Sequence, residues 1–363
     1  MHNRLTPLLS VLLISLLVAA CGGGSGGSSE STNSAPVASN PVAIDANGAH
    51  ALPGDVLHAS YSYSDADRDA EGASQIIWLR NNQPIEAASD ATYTLTDEDE
   101  DQSLSFQVIP VAVDGVREGE PVTSPALAVG YRPGTRVPAK SFYSAQTDWT
   151  YLIHVYLPAG YTDSNSDYSV MYQLDGQTRF EPSADMLDEK AKKIVLISIG
   201  TKFDQRFNDY LFPGAVNFYD FVTLELIPAI EAQYRIDSKK RTLMGHSLGG
   251  LFTGSVMLTE QPADAYFDSY VASDGSFQYQ IEIMDALEEK LSQRTDVLPT
   301  TLIMSVGTNG NFWSGRRFHN RLLASDYGAF DMHYMEFDAT HEQTFALTFA
   351  TSVDMLYPDP SID

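Results

Sequence analysis

The 363-residue sequence contains only one cysteine, Cys21. A single thiol excludes an internal disulfide and a cysteine metal cluster within one chain. Basic residues are also scarce, because 22 Lys and Arg stand against 48 Asp and Glu, and the formal net charge is -26. This charge repels polyanions, so nucleic-acid binding is disfavoured. The hydrophobic content of 43% is still sufficient for a globular protein, and the length suits about two domains.

The sequence has no apolar stretch at its start that is long enough to span a membrane. The apolar run over residues 8–20 is too short for a stable span, and with Arg4 before it the segment is typical of a secretory signal. The letters LVAAC that end at Cys21 are typical of a bacterial lipobox, although a plain cleaved signal with an incidental cysteine is the alternative. We therefore predict a signal peptide at 1–20 and a lipid anchor on Cys21. The predicted location is the cell envelope, either the periplasm or the outer-membrane surface.

Residues 21–34 are almost entirely Gly, Ser, Thr and Asn, and this composition predicts a flexible tether. Residues 35–130 then show short alternating apolar runs separated by turn residues, which predicts a small β-sandwich with Trp78 in its core. The pattern from Tyr63 to Trp78 resembles that of bacterial immunoglobulin-like repeat domains. This resemblance implies an immunoglobulin-like domain at 35–130.

An acidic cluster in this segment has two interpretations. The carboxylates of Asp65, Asp67, Asp69 and Glu71 are the kind of ligand that Ca²⁺ takes. The alternative, which we favour, is a charged loop that discourages edge-to-edge pairing of strands.

From residue 137 to 358, apolar strand segments alternate with amphipathic helical segments. This alternation predicts an α/β domain whose mainly parallel sheet is covered on both faces. The strands are predicted at 151–157, 169–174, 193–199, 241–245, 269–272, 301–306 and 332–337, and helices at 218–234, 251–258, 285–291 and 343–356.

The motif Gly245-His246-Ser247-Leu248-Gly249 lies between a predicted strand and a predicted apolar helix. That is the setting of a nucleophile elbow, in which the serine sits on a turn so tight that small residues are needed around it. The same letter pattern occurs at 23–27, where no strand precedes it. Context therefore selects Ser247 as the candidate nucleophile.

A serine hydroxyl needs a base to accept its proton, and His341 fits that role. It follows the predicted strand 332–337 through a short loop and precedes the last predicted helix. His333 and His319 fall inside a strand and a helix, where packing or surface roles are more common. His246 neighbours the serine, and we expect it to shape the elbow.

The acid of a catalytic triad is not evident in the sequence. The loop 307–312, after the predicted strand 301–306, contains no Asp or Glu. The sequence leaves open whether His341 works in a dyad or is oriented by Asp338, Glu342 or Asp274. A neutral orienting group would stabilise the charged imidazole less than a carboxylate would.

An oxyanion also needs two N–H donors. One is expected from the backbone of Leu248, and the other from the loop after the strand 169–174, at Gly176 or Gln177. An ordinary turn at the end of the strand is the alternative for that loop.

The segments 168–177, 206–213, 225–234 and 245–251 together resemble the esterase family that includes enterochelin esterases, esterase D and mycolyltransferases. The resemblance covers about 137–357 and is closest to the siderophore trilactone esterases, some of which lack the triad acid. It implies an α/β-hydrolase fold and cleavage of an ester or thioester, and it fixes no substrate.

The predicted function is a serine carboxylic ester hydrolase that forms an acyl-enzyme on Ser247 and needs no metal or cofactor. Its expected partner is a small-molecule ester, such as a siderophore lactone, together with the membrane reached through Cys21. Two alternatives stay open: an acyltransferase of the same fold, in which a bound alcohol intercepts the acyl-enzyme, and a non-catalytic surface binding protein.

Overall fold

The computed structural model describes residues 33–45 and 51–358. Cys21, the predicted signal peptide and most of the predicted tether lie outside the described residues. No helix in 33–45 or 51–358 combines the length and the apolar character that a membrane-crossing helix requires.

The first part of the chain forms two antiparallel sheets. One sheet comprises β1 (Val37–Asp45), β2 (Val56–Ser64) and β5 (Thr92–Thr94). The other has the order β4-β3-β6-β7 and comprises β3 (Gln75–Arg80), β4 (Gln83–Pro84), β6 (Ser103–Ile109) and β7 (Val122–Thr123), with β8 (Leu127–Ala128) also paired to β6. One hydrophobic cluster draws residues from both sheets, and fully buried Trp78 packs in it against Tyr93 and Phe106 at ring-centroid distances of 5.6 and 5.5 Å. The core position predicted for Trp78 is the one observed, while the immunoglobulin-like assignment stays a prediction.

Carboxylates of the acidic cluster accept hydrogen bonds from residues of the same region. Asp65 accepts from the backbone of Asp67 and Asp69, and Glu71 accepts from Tyr61 at 2.7 Å. Among the described residues, no three of the cluster's carboxylates bring oxygen atoms within 4.8 Å of one another. The preference for a charged loop over a calcium site stays a prediction.

The second part of the chain is built on one eight-stranded sheet. Its strands are β9 (Thr135–Ser144), β10 (Trp149–Leu157), β11 (Tyr168–Leu174), β12 (Val195–Gly200), β13 (Ile236–His246), β14 (Ser269–Ser273), β15 (Thr301–Asn309) and β16 (Asp331–Thr340). Their order across the sheet is β16-β15-β14-β13-β11-β12-β10-β9. The six strands from β16 to β12 in this order are parallel, and β10 and β9 add an antiparallel edge. This is the mainly parallel α/β fold that the alternating pattern predicts.

The helices are α1 (Gly176–Glu189), α2 (Gln205–Tyr210), α3 (Ala215–Asp220), α4 (Ile227–Glu231), α5 (Leu248–Thr259), α6 (Ile281–Arg294), α7 (Phe312–Ala324) and α8 (His341–Leu356).

The inner part of the large sheet is buried on both faces because its segments are mostly apolar; it comprises β11, β12, the second half of β13, β14 and β15. The outer strands β9 and β16 are largely exposed or half-buried. Side chains alternate across a strand, so Tyr172 and Leu174 join one hydrophobic cluster while Met171 joins the cluster on the other face. The same alternation separates Leu243 from Met244 in β13. Burial on both faces fixes the strand register, and with it the positions of the loops at the carboxyl ends of the strands.

The helix predicted at 218–234 is interrupted in the structure. It consists of α3, a π-helical turn at Phe221–Leu226, and the short helix α4. Pro228 explains the interruption, because proline has no N–H to donate to the carbonyl of Leu224 and its ring crowds that carbonyl. The wider π turn accommodates the ring, which a count of apolar spacing does not anticipate.

Candidate active site

Ser247 occupies the turn between β13 and α5. Its backbone has φ 61° and ψ -120°, a conformation that is costly for a residue with a side chain. The Ser247 N–H donates to the Ser273 carbonyl at 3.0 Å, which holds the turn against β14. A Cβ on Gly245 would come 2.2 Å from the carbonyl oxygen of Gly249, so the motif requires glycine here. The turn is therefore the sharp strand-to-helix elbow that the motif predicts.

His341 is the first residue of α8, directly after β16. Its Nδ1 lies 2.5 Å from Oδ2 of Asp274, which is fully buried at the end of β14. Of the three acids that the sequence left open, Asp274 is the one hydrogen-bonded to His341. Asp338 instead accepts from Thr308 at 3.2 Å, and Glu342 pairs with Arg179 at 2.6 Å.

The loop after β15 contains no acid, but it holds the acid of the neighbouring strand. Gly307 N and Asn311 N each donate to Asp274 Oδ1 at 3.0 Å. The Asn311 side chain also donates to the Asp274 carbonyl, at 2.7 Å. Gly310 is needed for this approach, because a Cβ there would lie 2.2 Å from Asp274 Oδ2. These backbone donors compensate for the burial of the carboxylate.

Two further side chains, which sequence reasoning missed, connect the serine to the acid. Ser276 Oγ lies 3.1 Å from Ser247 Oγ and accepts a hydrogen bond from Asn311 Nδ2 at 3.0 Å. Asn311 Nδ2 is also 3.5 Å from His341 Nδ1. Because Nδ1 gives its proton to Asp274, it cannot accept from Asn311 as well. The amide therefore positions Ser276 and Asp274 and does not itself orient the imidazole.

The predicted oxyanion donors lie at the starts of two helices. Leu248 is the first residue of α5, and Gly176 is the first residue of α1, so the predicted 175–177 loop is in fact a strand-to-helix junction. The first N–H groups of a helix have no partner within it and are available to an anion. A Cβ on Gly176 would lie 2.9 Å from the Ser198 carbonyl carbon, which shows how closely this junction approaches β12.

A buried ion pair supports the α1 junction. Asp175 has φ 61° and is 4% exposed. Its carboxylate contacts Arg206 at 2.7 Å and accepts from the Tyr210 hydroxyl at 3.2 Å. Burial raises the pKa of the Asp175 carboxyl, and the Arg206 charge opposes that rise. Gln177 is fixed separately, since its Oε1 accepts from Thr201 N at 2.9 Å.

These elements border one cavity of about 260 Å³. Its lining comprises Asp175, Gln177, Thr178, Arg179, Phe203, Arg206, His246, Ser247 and Glu342. His246 is 2% exposed, and its ring lies 4.5 Å from that of His341. Burial, followed by the nearby Arg179 charge, lowers the pKa of His246 to about 2, so this imidazole is neutral beside the candidate base.

The family comparison agrees with this geometry. Residues 144–344, more than half of the chain, match the family described as "Putative esterase". The chain belongs to this esterase family. The matched region includes Ser247, Asp274 and His341.

Three individual proteins resemble this chain at identities of 29%, 24% and 22%. The chain is 29% identical over 179 residues to the ferri-bacillibactin esterase BesA of Bacillus subtilis (strain 168), a match that covers 40% of this chain and 60% of BesA. An IroE-like serine hydrolase from Shewanella oneidensis shares the fold with a TM-score of 0.57 and 24% identity, covering 63% of this chain and 82% of that one. The BES protein from Bacillus cereus does so with a TM-score of 0.53 and 22% identity, covering 61% and 94%.

Several residues of the esterase site had no clear sequence signal. Ser276 follows the strand that carries Asp274 and could have been examined with it, since both lie in one loop. The sequence offers no pattern that marks Asn311, because its role depends on the loop after β15 lying beside Asp274, where the backbone and side chain of Asn311 donate to that residue. Arg179 and Arg206 lie on helices at ordinary surface spacing, and only the fold brings them to the cavity.

Proposed function

We propose that the protein is a serine carboxylic ester hydrolase. His341 takes the proton of Ser247 as the serine attacks the ester carbonyl, and it then gives that proton to the leaving alcohol. Asp274 orients the imidazole and stabilises its positive charge. Water, activated by the same histidine, releases the acid from the acyl-enzyme.

The observation that carries this proposal is the contact of 2.5 Å between His341 and a fully buried Asp274, at the same edge of the sheet as a strained elbow serine whose Oγ contacts Ser276. Strained backbone and a buried, fully hydrogen-bonded acid are costly, and they are expected where function maintains them. The N–H group of Leu248, at the start of α5, and that of Gly176 or Gln177, at the start of α1, are the proposed oxyanion donors.

We further propose a siderophore lactone, or another small extracytoplasmic ester, as the substrate. The support is the similarity to BesA, whose name states that it is a ferri-bacillibactin esterase. The matched region covers 60% of BesA, so the whole relative's activity does not transfer by itself. Profiling of nitrophenyl esters by chain length, followed by linear and cyclic trilactones, would test this substrate class.

A fluorophosphonate probe tests the reaction directly. The probe labels only an activated serine, so the full chain should become labelled, while Ser247→Ala and His341→Ala should not. Ser292→Ala is the control and should become labelled, because it removes an exposed serine hydroxyl outside the cavity and leaves the nucleophile and its partners intact. If the folded wild-type protein is not labelled and hydrolyses no ester, a non-catalytic binding protein becomes the better interpretation.

The lipid anchor on Cys21 is a separate proposal, supported by the lipobox-like letters before that residue. Replacing Cys21 with Ala should move the protein from the membrane fraction to the soluble fraction, because the proposed acyl chains on Cys21 would hold it in the membrane. Ser25→Ala, in the same glycine-rich stretch, should leave the distribution unchanged. Retention of Cys21→Ala in the membrane fraction would contradict the anchor.

A further inference from the structure

Three potential metal ligands meet at the mouth of the active site. One ring nitrogen each from His246 and His341, and one carboxylate oxygen from Glu342, lie within 4.8 Å of one another. His246 ends β13, while the other two residues begin α8. Two imidazoles and a carboxylate form a ligand set that suits Zn²⁺.

The hydrogen bonds around His246 determine which of its nitrogens is free. The Thr348 hydroxyl donates to the Thr344 carbonyl at 2.6 Å, so the Thr348 oxygen can accept from Ser273 at 3.0 Å. Ser273 has then used its only proton and must accept from His246 Nδ1, which lies 3.2 Å away. The lone pair of His246 is therefore on Nε2, a buried atom with no hydrogen-bond partner.

His341 is arranged in the same way. Its Nδ1 donates to Asp274 at 2.5 Å, which leaves the lone pair on Nε2. Metal-binding histidines characteristically donate their second N–H to an oxygen, and this second hydrogen bond fixes the ring and its tautomer. Both histidines meet that condition, with Ser273 and Asp274 as the oxygen partners.

Glu342 offers the third potential ligand atom. Its side chain is 72% exposed, and only Oε2 is engaged, by Arg179 at 2.6 Å. Tetrahedral Zn²⁺ with bonds of about 2.0 Å needs ligand atoms about 3.3 Å apart. The Glu342 carboxylate must therefore approach the two histidines by at most about 1.5 Å, a movement that an exposed side chain at the start of a helix can provide.

We propose that a zinc-like divalent transition metal binds His246 Nε2, His341 Nε2 and Glu342 and thereby inhibits the enzyme reversibly. Inhibition, as distinct from binding, rests on the proposed function, because the metal would occupy the lone pair that otherwise accepts the proton of Ser247. The positive charges of Arg179 and Arg206 border the same cavity and weaken the binding of any cation. A chelator should therefore restore activity.

Metal binding can be measured without catalysis. Co²⁺ would be titrated into full-length Ser247→Ala protein and followed by visible absorption. We expect one equivalent to bind, with the intense bands of a four-coordinate site. His246→Gln and Glu342→Gln, each added to Ser247→Ala, should weaken binding at least about tenfold. His333→Gln is the matched control, because His333 pairs with Asp331 on the surface and should not affect binding.

The kinetic arm uses the active chain. Zn²⁺ should inhibit hydrolysis of a nitrophenyl ester, EDTA should reverse the inhibition, and Mg²⁺ should have no effect because it avoids imidazole. The activity of each variant with Zn²⁺ is expressed relative to that variant's own activity without metal, and inhibition constants are then compared between variants. If His246→Gln does not fold, Glu342→Gln alone tests the site.

Equal metal affinity in wild type and both variants, or the absence of Co²⁺ binding, would overturn the site. Metal binding without loss of activity would overturn the proposed inhibition. A protein without esterase activity would refute the proposed function, while the Co²⁺ titration would still test the site.

Discussion

Asp274 shows, at the scale of one residue, how hydrogen-bond donors offset the cost of burying a charged group. Its carboxylate is fully buried, and it receives hydrogen bonds from two backbone N–H groups and from His341. An isolated carboxylate in this position would cost many kcal/mol, so its partners must be present before the site can form. The backbone donors fix the direction of the carboxylate, and the carboxylate in turn fixes the imidazole.

The first prediction separates Asp274 from the other acids near His341. Asp274→Asn should lower kcat by about 10³ to 10⁴, because an amide does not stabilise the imidazolium and favours the wrong tautomer. Asp338→Asn is the matched control, since Asp338 is exposed and bonded to Thr308, and it should change kcat by less than about threefold. Kinetics on a short nitrophenyl ester would measure both. Similar small losses in the two variants would indicate a dyad.

The second prediction concerns Asp209, a buried acid outside the catalytic group. Burial raises its pKa from 3.8 to about 6, although Tyr151 and Gln205 donate to it at 3.0 and 2.8 Å. The folded state thus holds a proton more tightly than the unfolded state. The contribution of Asp209 to the free energy of unfolding should therefore fall by about 3 kcal/mol as the pH rises from about 4 to about 6, and this contribution should stay level above that.

Asp209→Asn isolates this contribution because asparagine does not titrate. The difference in unfolding free energy between wild type and variant, from urea titrations at several pH values, should change by about 3 kcal/mol between pH 4 and pH 7. Other buried acids titrate in both proteins and cancel in the difference. A difference that does not vary with pH would contradict the proposed environment of Asp209.

At the scale of elements, the site is assembled by adjacent strands. The order β13, β14, β15 and β16 across the sheet places Ser247, Asp274, Asn311 and His341 after four consecutive parallel strands. The carboxyl ends of parallel strands share one edge of a sheet, so their loops form a continuous surface. Asp274 and His341 follow strands that are not neighbours, and the loop after β15 bridges them.

This arrangement explains what could be predicted from the sequence. The apolar runs and the motif around Ser247 depend on local spacing, and they indicated the parallel sheet, the elbow and the position of His341 in the chain. The choice of Asp274 depends on how far a side chain reaches across an intervening strand, which spacing does not record. Pro228 shows a similar limit, because the apolar period continues through a helix that its ring interrupts.

The third prediction tests the bridging loop. In Gly310→Ala the new Cβ would lie 2.2 Å from Asp274 Oδ2, so either the loop or the acid must move. A displacement of about 1 Å in a catalytic group can cost about 10² in rate, and we expect a loss of that size in kcat with the far-UV circular dichroism unchanged. Gly328→Ala is the matched control, because its nearest contact would be 3.6 Å. Full activity in Gly310→Ala would show that the loop does not hold the acid.

At the scale of the whole molecule, the boundary of the α/β part is defined by its edge strand. β9 begins at Thr135, two residues before the predicted start of the domain, and pairs along β10. Just before the strand, Gly134 N donates to Asp188 at 2.6 Å. Arg136 bonds the same aspartate at 2.9 Å and also Asp185 at 2.5 Å. These hydrogen bonds hold the start of β9 against α1, whose first turn lines the cavity.

The last prediction is that residues 133–363 alone hydrolyse short esters with kcat/KM within about threefold of the full chain, because every proposed catalytic group lies in this span. A fragment that begins at 145 is the informative comparison. It lacks β9, so it exposes the edge of β10 and loses the packing of Phe142 against Phe221, whose ring centroids are 5.8 Å apart. We expect this shorter fragment to aggregate or to melt well below the longer one in a thermal scan. If the 133–363 fragment folds with native circular dichroism but is inactive, the amino-terminal sheets must contribute to the site, and the assignment of all catalytic groups to the α/β part is wrong.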